Sequence, residues 1–195
     1  MSRVLPLARS SGTGPAPLGD EALVAACAVG DANALAALFQ RHHDAVHRIC
    51  TRLAHASEVD DLVQNTFVAA WTQAGRFRGQ SSVRAWLCAI AANLVRKSRR
   101  SEARKRSALG FLRLAPAPAR RGVDDQVADR QLCDRLQVAL DALPDDLRIA
   151  FVLCEIEQIP GVEAARALGL RPGTLWRRLH DARKRLLAAL EGEEP

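Results

Sequence analysis

The stretch that decides the fold is Val162-Glu163-Ala164-Ala165-Arg166-Ala167-Leu168-Gly169-Leu170-Arg171-Pro172-Gly173-Thr174-Leu175-Trp176-Arg177-Arg178-Leu179-His180-Asp181-Ala182-Arg183-Lys184-Arg185-Leu186. Val162–Leu168 predicts a short helix, Gly169-Leu170-Arg171 a tight turn, and Pro172-Gly173-Thr174 the opening of a longer helix that continues to Leu190. Leu175, Leu179, Ala182, Leu186 and Ala189 recur on one face and pack inward. Trp176, Arg177, His180, Asp181, Lys184 and Arg185 face elsewhere. This is the helix-turn-helix layout, whose second helix is free to enter a major groove. Early residues of such a helix reach base edges, and Arg pairs bidentately with guanine. Taken alone, the same pattern also fits an ordinary helical hairpin with a solvated arginine face.

Upstream, the chain keeps the helical period. Leu132, Leu136, Val138, Ala139, Leu140 and Leu143 precede Pro144, and Leu147, Ala150, Phe151, Leu153 and Cys154 follow it, with Ile159-Pro160-Gly161 as the stop. Residues 107–128 lose the period, and Ala115-Pro116-Ala117-Pro118-Ala119 reads as an extended linker. Before it, Asp20 caps a short helix ending at Gly30, and Asp31 caps a second. That second helix buries Leu35, Leu38, Phe39, His42, Val46, Ile49, Cys50 and Leu53. Ser57 opens a third helix with Glu58, Asp60 and Asp61 in its first turn, where carboxylates suit the positive dipole end. Its inner stripe is Val59, Leu62, Val63, Thr66, Phe67, Ala70 and Trp71. After Arg78-Gly79-Gln80-Ser81-Ser82 a fourth helix buries Val83, Trp86, Leu87, Ile90 and Leu94. No stretch alternates with period two. The expectation is all-α: two small helical domains, 20–106 and 129–195, joined by a flexible linker at 107–128 and preceded by a disordered tail at 1–19.

Composition agrees with a globular helical protein. The 195 residues are 48% hydrophobic and 26% charged, with only 4% aromatics and no Tyr, so the core rests on Leu, Ala, Val and Ile. The longest apolar runs, Leu23–Val29 and Trp86–Ala92, are far short of a bilayer span, and Met1–Ala8 is too brief for a signal-peptide core. Five scattered Cys without a CxxC pair form no disulfide framework and point to a reducing, cytoplasmic setting.

Charge is segregated. The net charge is +6, but residues 96–121 hold ten basic side chains against Glu102 alone, and residues 166–185 hold seven against Asp181 alone. Two basic patches on a near-neutral scaffold are an electrostatic footprint for nucleic acid. Beside the first patch, the loop Phe77–Ser82 offers an aromatic and several small hydrogen-bonding groups, the parts needed to hold an unstacked base. His43-x3-His47-x2-Cys50 has ligand-like spacing without an evident fourth ligand, and core-edge histidines explain it more simply, so no metal is expected. No P-loop, Gly-x-Gly-x-x-Gly, Gly-x-Ser-x-Gly or His-Glu-x-x-His occurs. Neither an enzyme nor a cofactor is expected.

Three ordered motifs carry a family resemblance. Glu58-Val-Asp-Asp-Leu-Val-Gln-Asn-Thr-Phe-Val-Ala-Ala-Trp71 resembles the region 2 helix of bacterial extracytoplasmic-function sigma factors, which docks on core RNA polymerase. Phe77-Arg-Gly-Gln-Ser-Ser-Val-Arg-Ala-Trp-Leu-Cys-Ala-Ile-Ala-Ala-Asn93 is similar to the segment that melts and reads the −10 element. Leu143-Pro-Asp-Asp-Leu-Arg148 and Gly173-Thr-Leu-Trp-Arg-Arg-Leu-His-Asp-Ala-Arg183 resemble region 4, which binds the −35 element. The resemblance spans Asp20 to Leu190.

It implies that Asp60, Asp61, Gln64, Asn65 and Val68 meet the clamp helices of the polymerase largest subunit, with the polymerase flap as a further contact. It implies that Phe77, Arg78, Gln80, Ser81, Ser82, Asn93, Arg96, Lys97, Arg99 and Arg100 serve the −10 region. It assigns Arg171, Thr174, Trp176, Arg177, Arg178, His180 and Asp181 to the −35 region. It also implies control by a separate anti-sigma factor rather than an appended module, and no membrane insertion. Trp176, Arg177 and Asp181 depart from the residues usual in the family, so a standard −35 preference does not transfer. Gly161–Ala165 is a looser match than Ser-x-x-Glu-Ile-Ala, and Arg113–Arg121 makes the linker basic. Residues 162–190 and the basic patches also fit an autonomous helix-turn-helix regulator, but that reading leaves the acidic third helix and the Phe77–Ser82 loop without a purpose. A sigma-like protein that binds polymerase without initiating is the third reading.

Overall fold

The computed structural model describes residues 18–108 and 127–191, leaving out the side chains of 106–108, 127–134 and 191. The expected tail (but for Leu18 and Gly19) and the centre of the expected linker lie outside the described residues. Among the described residues eight α-helices follow in order: α1 Asp20–Ala28, α2 Ala32–Leu53, α3 Val59–Gln73, α4 Val83–Ala108, α5 Val127–Ala142, α6 Asp145–Phe151, α7 Gly161–Ala167 and α8 Pro172–Glu191. No strand occurs among the described residues, and no helix there is long and apolar enough to cross a membrane.

Local chemistry sets most of the boundaries. α1 stops at Gly30, whose φ of +94° lets the chain reverse, and the Asp31 carboxylate then accepts from the amides of Asn33 at 2.9 Å and Ala34 at 3.4 Å to cap α2. Asp20 caps nothing. Gly19 is the residue before α1, and the Asp20 carboxylate instead takes Arg41 Nη1 at 2.9 Å and His42 Nε2 at 2.7 Å, tying α1 to α2. Ser57 likewise caps no helix, because Ala56–Glu58 form a 3-10 turn and α3 starts at Val59. Ser82 is the cap of α4: its hydroxyl accepts from the Ala85 amide at 3.2 Å. After α6 the chain widens into a single π-helical stretch, Val152–Ile156, and Gln158 turns it with a φ of +54°.

α1 to α4 form the first helical unit, with Leu38, Val46, Ile49, Leu53, Phe67, Leu87 and Val95 buried between them. α5 to α8 form the second, in which α7, the Gly169 turn (φ +68°) and α8 make the helix-turn-helix. Ala139, Leu140, Leu143, Ala182 and Leu186 close the α5–α8 side. The two units are packed together: Ile149, Val152, Leu153, Ile159, Ala164 and Leu175 continue the core of the first unit without a break. Phe39, placed by its spacing on the inner stripe of α2, is 40% exposed. Its ring lies over Phe67 at the edge of the core, 4.8 Å away, rather than inside it.

Candidate polymerase- and promoter-binding surfaces

α3 presents its outer face as one surface. Leu62, Val63, Thr66, Phe67 and Ala70 are buried, so Asp60, Asp61, Gln64, Asn65 and Val68 all stand exposed, with Val68 59% open. Thr66 is accommodated in the core because its hydroxyl donates to the Leu62 carbonyl at 2.7 Å. The neighbouring helix carries a ring row that meets α3 through Phe67. Phe39, His43 and His47 form a row on α2, with ring centroids 4.9 Å apart in the first pair and 5.7 Å in the second. The signal was present: positions i, i+4 and i+8 of one helix lie one above another. Cys50, the third member of the ligand-like spacing, is fully buried, and burial pushes its thiol up to about 12.

The loop between α3 and α4 and the outer side of α4 form the second surface. Arg78, Gln80 and Ser82 are exposed and Ser81 half-buried, with Gly79 at φ +65° setting the turn. Phe77 is not a free platform, because its ring leans on Trp86 with centroids 5.0 Å apart and is partly buried there. Along α4, Asn93, Arg96, Lys97, Arg100, Ala103 and Arg104 line an open groove of about 610 Å³. Arg99 lies outside this groove: it donates to the Leu53 carbonyl at 3.1 Å and pairs with Asp145 at 3.2 Å.

The third surface is the start of α8. Arg171, Trp176, Arg177 and His180 are exposed, Thr174 and Asp181 half-buried, while Leu175, Leu179 and Ala182 are buried beneath them. Lys184, one turn beyond His180, extends this face. Arg178 is turned aside and gives its Nη2 to Asp146 at 2.9 Å.

Carboxylates of the second unit meet the basic side chains of the first. Arg96 donates to Asn93 Oδ1 at 2.8 Å and to Asp146 Oδ1 at 3.2 Å, so Asp146 links Arg96 with Arg178. Ser82, in the loop before α4, donates to Glu163 of α7 at 2.8 Å. Glu157, whose side chain is 2% exposed, accepts from Arg48 Nε and Nη2 at 3.0 and 2.9 Å and from Arg84 at 2.9 Å. Hydrogen bonds to Glu157 hold the Arg48 proton more tightly than usual. The motifs that contain Asp146 and Glu163 do not mark either acid as a partner for the first unit. The signal was the cluster of carboxylates between Asp145 and Glu163 facing the excess of arginine upstream.

An acidic-faced helix, a basic groove behind a small-residue loop and a helix-turn-helix, in that order on one all-helical chain, define the two-module class of bacterial transcription initiation factors. Family models confirm it: Sigma-70 region 2 matches residues 38–105 and Sigma-70 region 4 matches residues 133–186. The chain is 33% identical over 173 residues to the ECF RNA polymerase sigma factor SigM of Mycobacterium tuberculosis, covering 88% of this chain and 84% of that protein. It is 29% identical over 180 residues to the ECF RNA polymerase sigma-E factor of Escherichia coli, covering 86% and 92%. Among solved structures it resembles CnrH, determined with the cytosolic domain of CnrY, at 30% identity and a TM-score of 0.64 over 90% of this chain and 99% of that one. It also resembles RpoE of Bartonella quintana, determined with the anti-sigma factor NepR, at 26% identity and a TM-score of 0.60 over 80% and 96%. The chain belongs to the extracytoplasmic-function group of the sigma-70 family and is an alternative sigma factor that directs transcription initiation.

Proposed function

We propose that the exposed face of α3 carries this sigma factor onto core polymerase, and that the α4 side and the start of α8 read the two promoter elements. The observation that carries the docking assignment is that Asp60, Asp61, Gln64, Asn65 and Val68 form one exposed face on a helix without a basic residue. Such a face complements a basic partner, and the clamp helices of the polymerase largest subunit are the expected one, with the flap receiving the second unit. Gln80 and Ser81 offer small hydrogen-bonding groups to a flipped base of the −10 element, joined by Ser82 once its hydroxyl leaves Glu163. Asn93, Lys97 and Arg100 grip adjacent phosphates, joined by Arg96 once it leaves Asp146. Arg171, Arg177 and His180 serve the −35 major groove. Neither unit need bind tightly alone, because polymerase raises the effective concentration of each for its element.

On this reading the protein works in the cytoplasm with polymerase, and its likeness to RpoE of Bartonella quintana, solved with an anti-sigma factor, supports a separate protein inhibitor. The test is run-off transcription with core polymerase free of other sigma factors on pooled genomic fragments. Transcripts sharing two spaced upstream elements support the assignment. Polymerase binding without transcripts removes the initiating role, and specific duplex binding without polymerase binding removes the docking face.

A further inference from the structure

Trp176 is both pinned and presented. A Cβ on Gly161 would stand 2.7 Å from its Cζ2 and Cη2 and 3.3 Å from its Cε2, so the indole lies directly on the backbone that starts α7. No residue larger than glycine fits at 161 with the ring in this place, since a Cβ needs well over 3 Å. Yet Trp176 remains 49% exposed, on the face of α8 that holds Arg177 and His180. Val162, which follows Gly161, is 44% exposed. The helix-turn-helix therefore shows an apolar surface beside Arg177 and His180 at the part of the second helix that enters a groove.

The apolar feature a major groove offers is the C5-methyl group of thymine. A ring that already rests against the Gly161 backbone has less side-chain freedom to lose on meeting that methyl than a long arginine has. We propose that Trp176 reads a thymine methyl group in the −35 element, and that Gly161 is the positioning residue that lets the indole lie where it does. The proposal rests on α8 being the −35 reader, and adds the base feature and the residue pair that select it.

The test begins with in vitro selection of the −35 element by holoenzyme reconstituted from this chain and core polymerase. Each thymine of the selected element is then replaced singly by deoxyuridine, which removes only the methyl. One position should lose about fourfold in affinity, the factor corresponding to ~0.8 kcal/mol for a buried methyl group. In Trp176→Ala that methyl dependence should vanish while other positions keep their preferences. Gly161→Ala should reduce it, and Gly161→Ala/Trp176→Ala should equal Trp176→Ala. A selected element without thymine, or wild-type binding indifferent to every methyl, overturns the proposal without any variant having to fold. So does methyl dependence that survives in Trp176→Ala. Selection that enriches no upstream −35 element overturns the reading on which the proposal rests, a distinguishable failure.

Discussion

Arg84 and Glu157 lie 2.9 Å apart across the junction of the two helical units, with the carboxylate 2% exposed and the guanidinium at the surface. Arg48 shares that carboxylate, so one buried acid holds two arginines from different helices of the first unit. A buried carboxylate is stable only while paired and hydrogen-bonded, and the two cations with their packing offset its desolvation. Glu157→Ala should lower stability by about 1–2 kcal/mol, less than a fully buried pair because both arginines are well exposed. A drop in urea midpoint without a change in slope checks it. Unchanged stability would mean that the Glu157 pairs contribute nothing to holding the units together.

Asp146 lies between Arg96 and Arg178, one from each DNA-binding unit. Asp146→Ala should free both for phosphate. The free protein should bind nonspecific duplex more tightly, with a log affinity against log salt slope steeper by about 1–2, one unit per added phosphate contact. Equal slopes for variant and wild type would show that neither arginine reaches DNA when released.

Charge reversal on the outer face of α3 separates docking from folding, because these side chains are exposed. Asp61→Arg should weaken core polymerase binding by roughly tenfold or more at low salt, and Gln64→Ala by less, with helical content and melting unchanged. Wild-type affinity in either variant would move the docking face elsewhere.

Arg177 is exposed on the start of α8 and should discriminate guanine at one −35 position. Arg177→Ala should relax that position by about 1–3 kcal/mol while leaving preferences elsewhere intact. Unaltered selectivity across −35 variants in run-off transcription would take Arg177 out of the reading set.

Cys50 and Cys88 are both fully buried, and burial pushes each thiol up to about 12. Both remain protonated at any pH well below 12, and only the thiolate alkylates. Neither should react with iodoacetamide at pH 8 until urea unfolds the chain. Labelling of the native protein would reveal an opening of the α2–α4 contact.

The helices were legible because their chemistry is local. Asp31 caps α2 as its side chain predicts, and the Leu175–Leu186 stripe is buried where its spacing puts it. The misreadings at Asp20 and Phe39 share a cause, whereas Ser57 falls in a local 3-10 turn ahead of α3. Each residue type fits the assigned role, but tertiary partners decide: Asp20 goes to Arg41 and His42, and Phe39 to Phe67 and His43. The union of the two units was the least legible feature. It joins residues up to 109 positions apart, as in Arg48 with Glu157, and no periodicity carries information across that distance. Charge sums recorded the arginines as free for nucleic acid, and only the fold shows several already paired within the chain.

The pairing of Arg96 and Arg178 bears on where the protein spends its time between rounds of work. A chromosome offers about 10⁶–10⁹ nonspecific sites, and a scarce basic protein is readily soaked up by them. With two of its phosphate-seeking side chains answered from within by Asp146, the unbound chain is a weaker scavenger of bulk DNA than its net charge suggests. More of the pool then stays in solution, where the search for a much rarer target, vacant polymerase, proceeds by free diffusion.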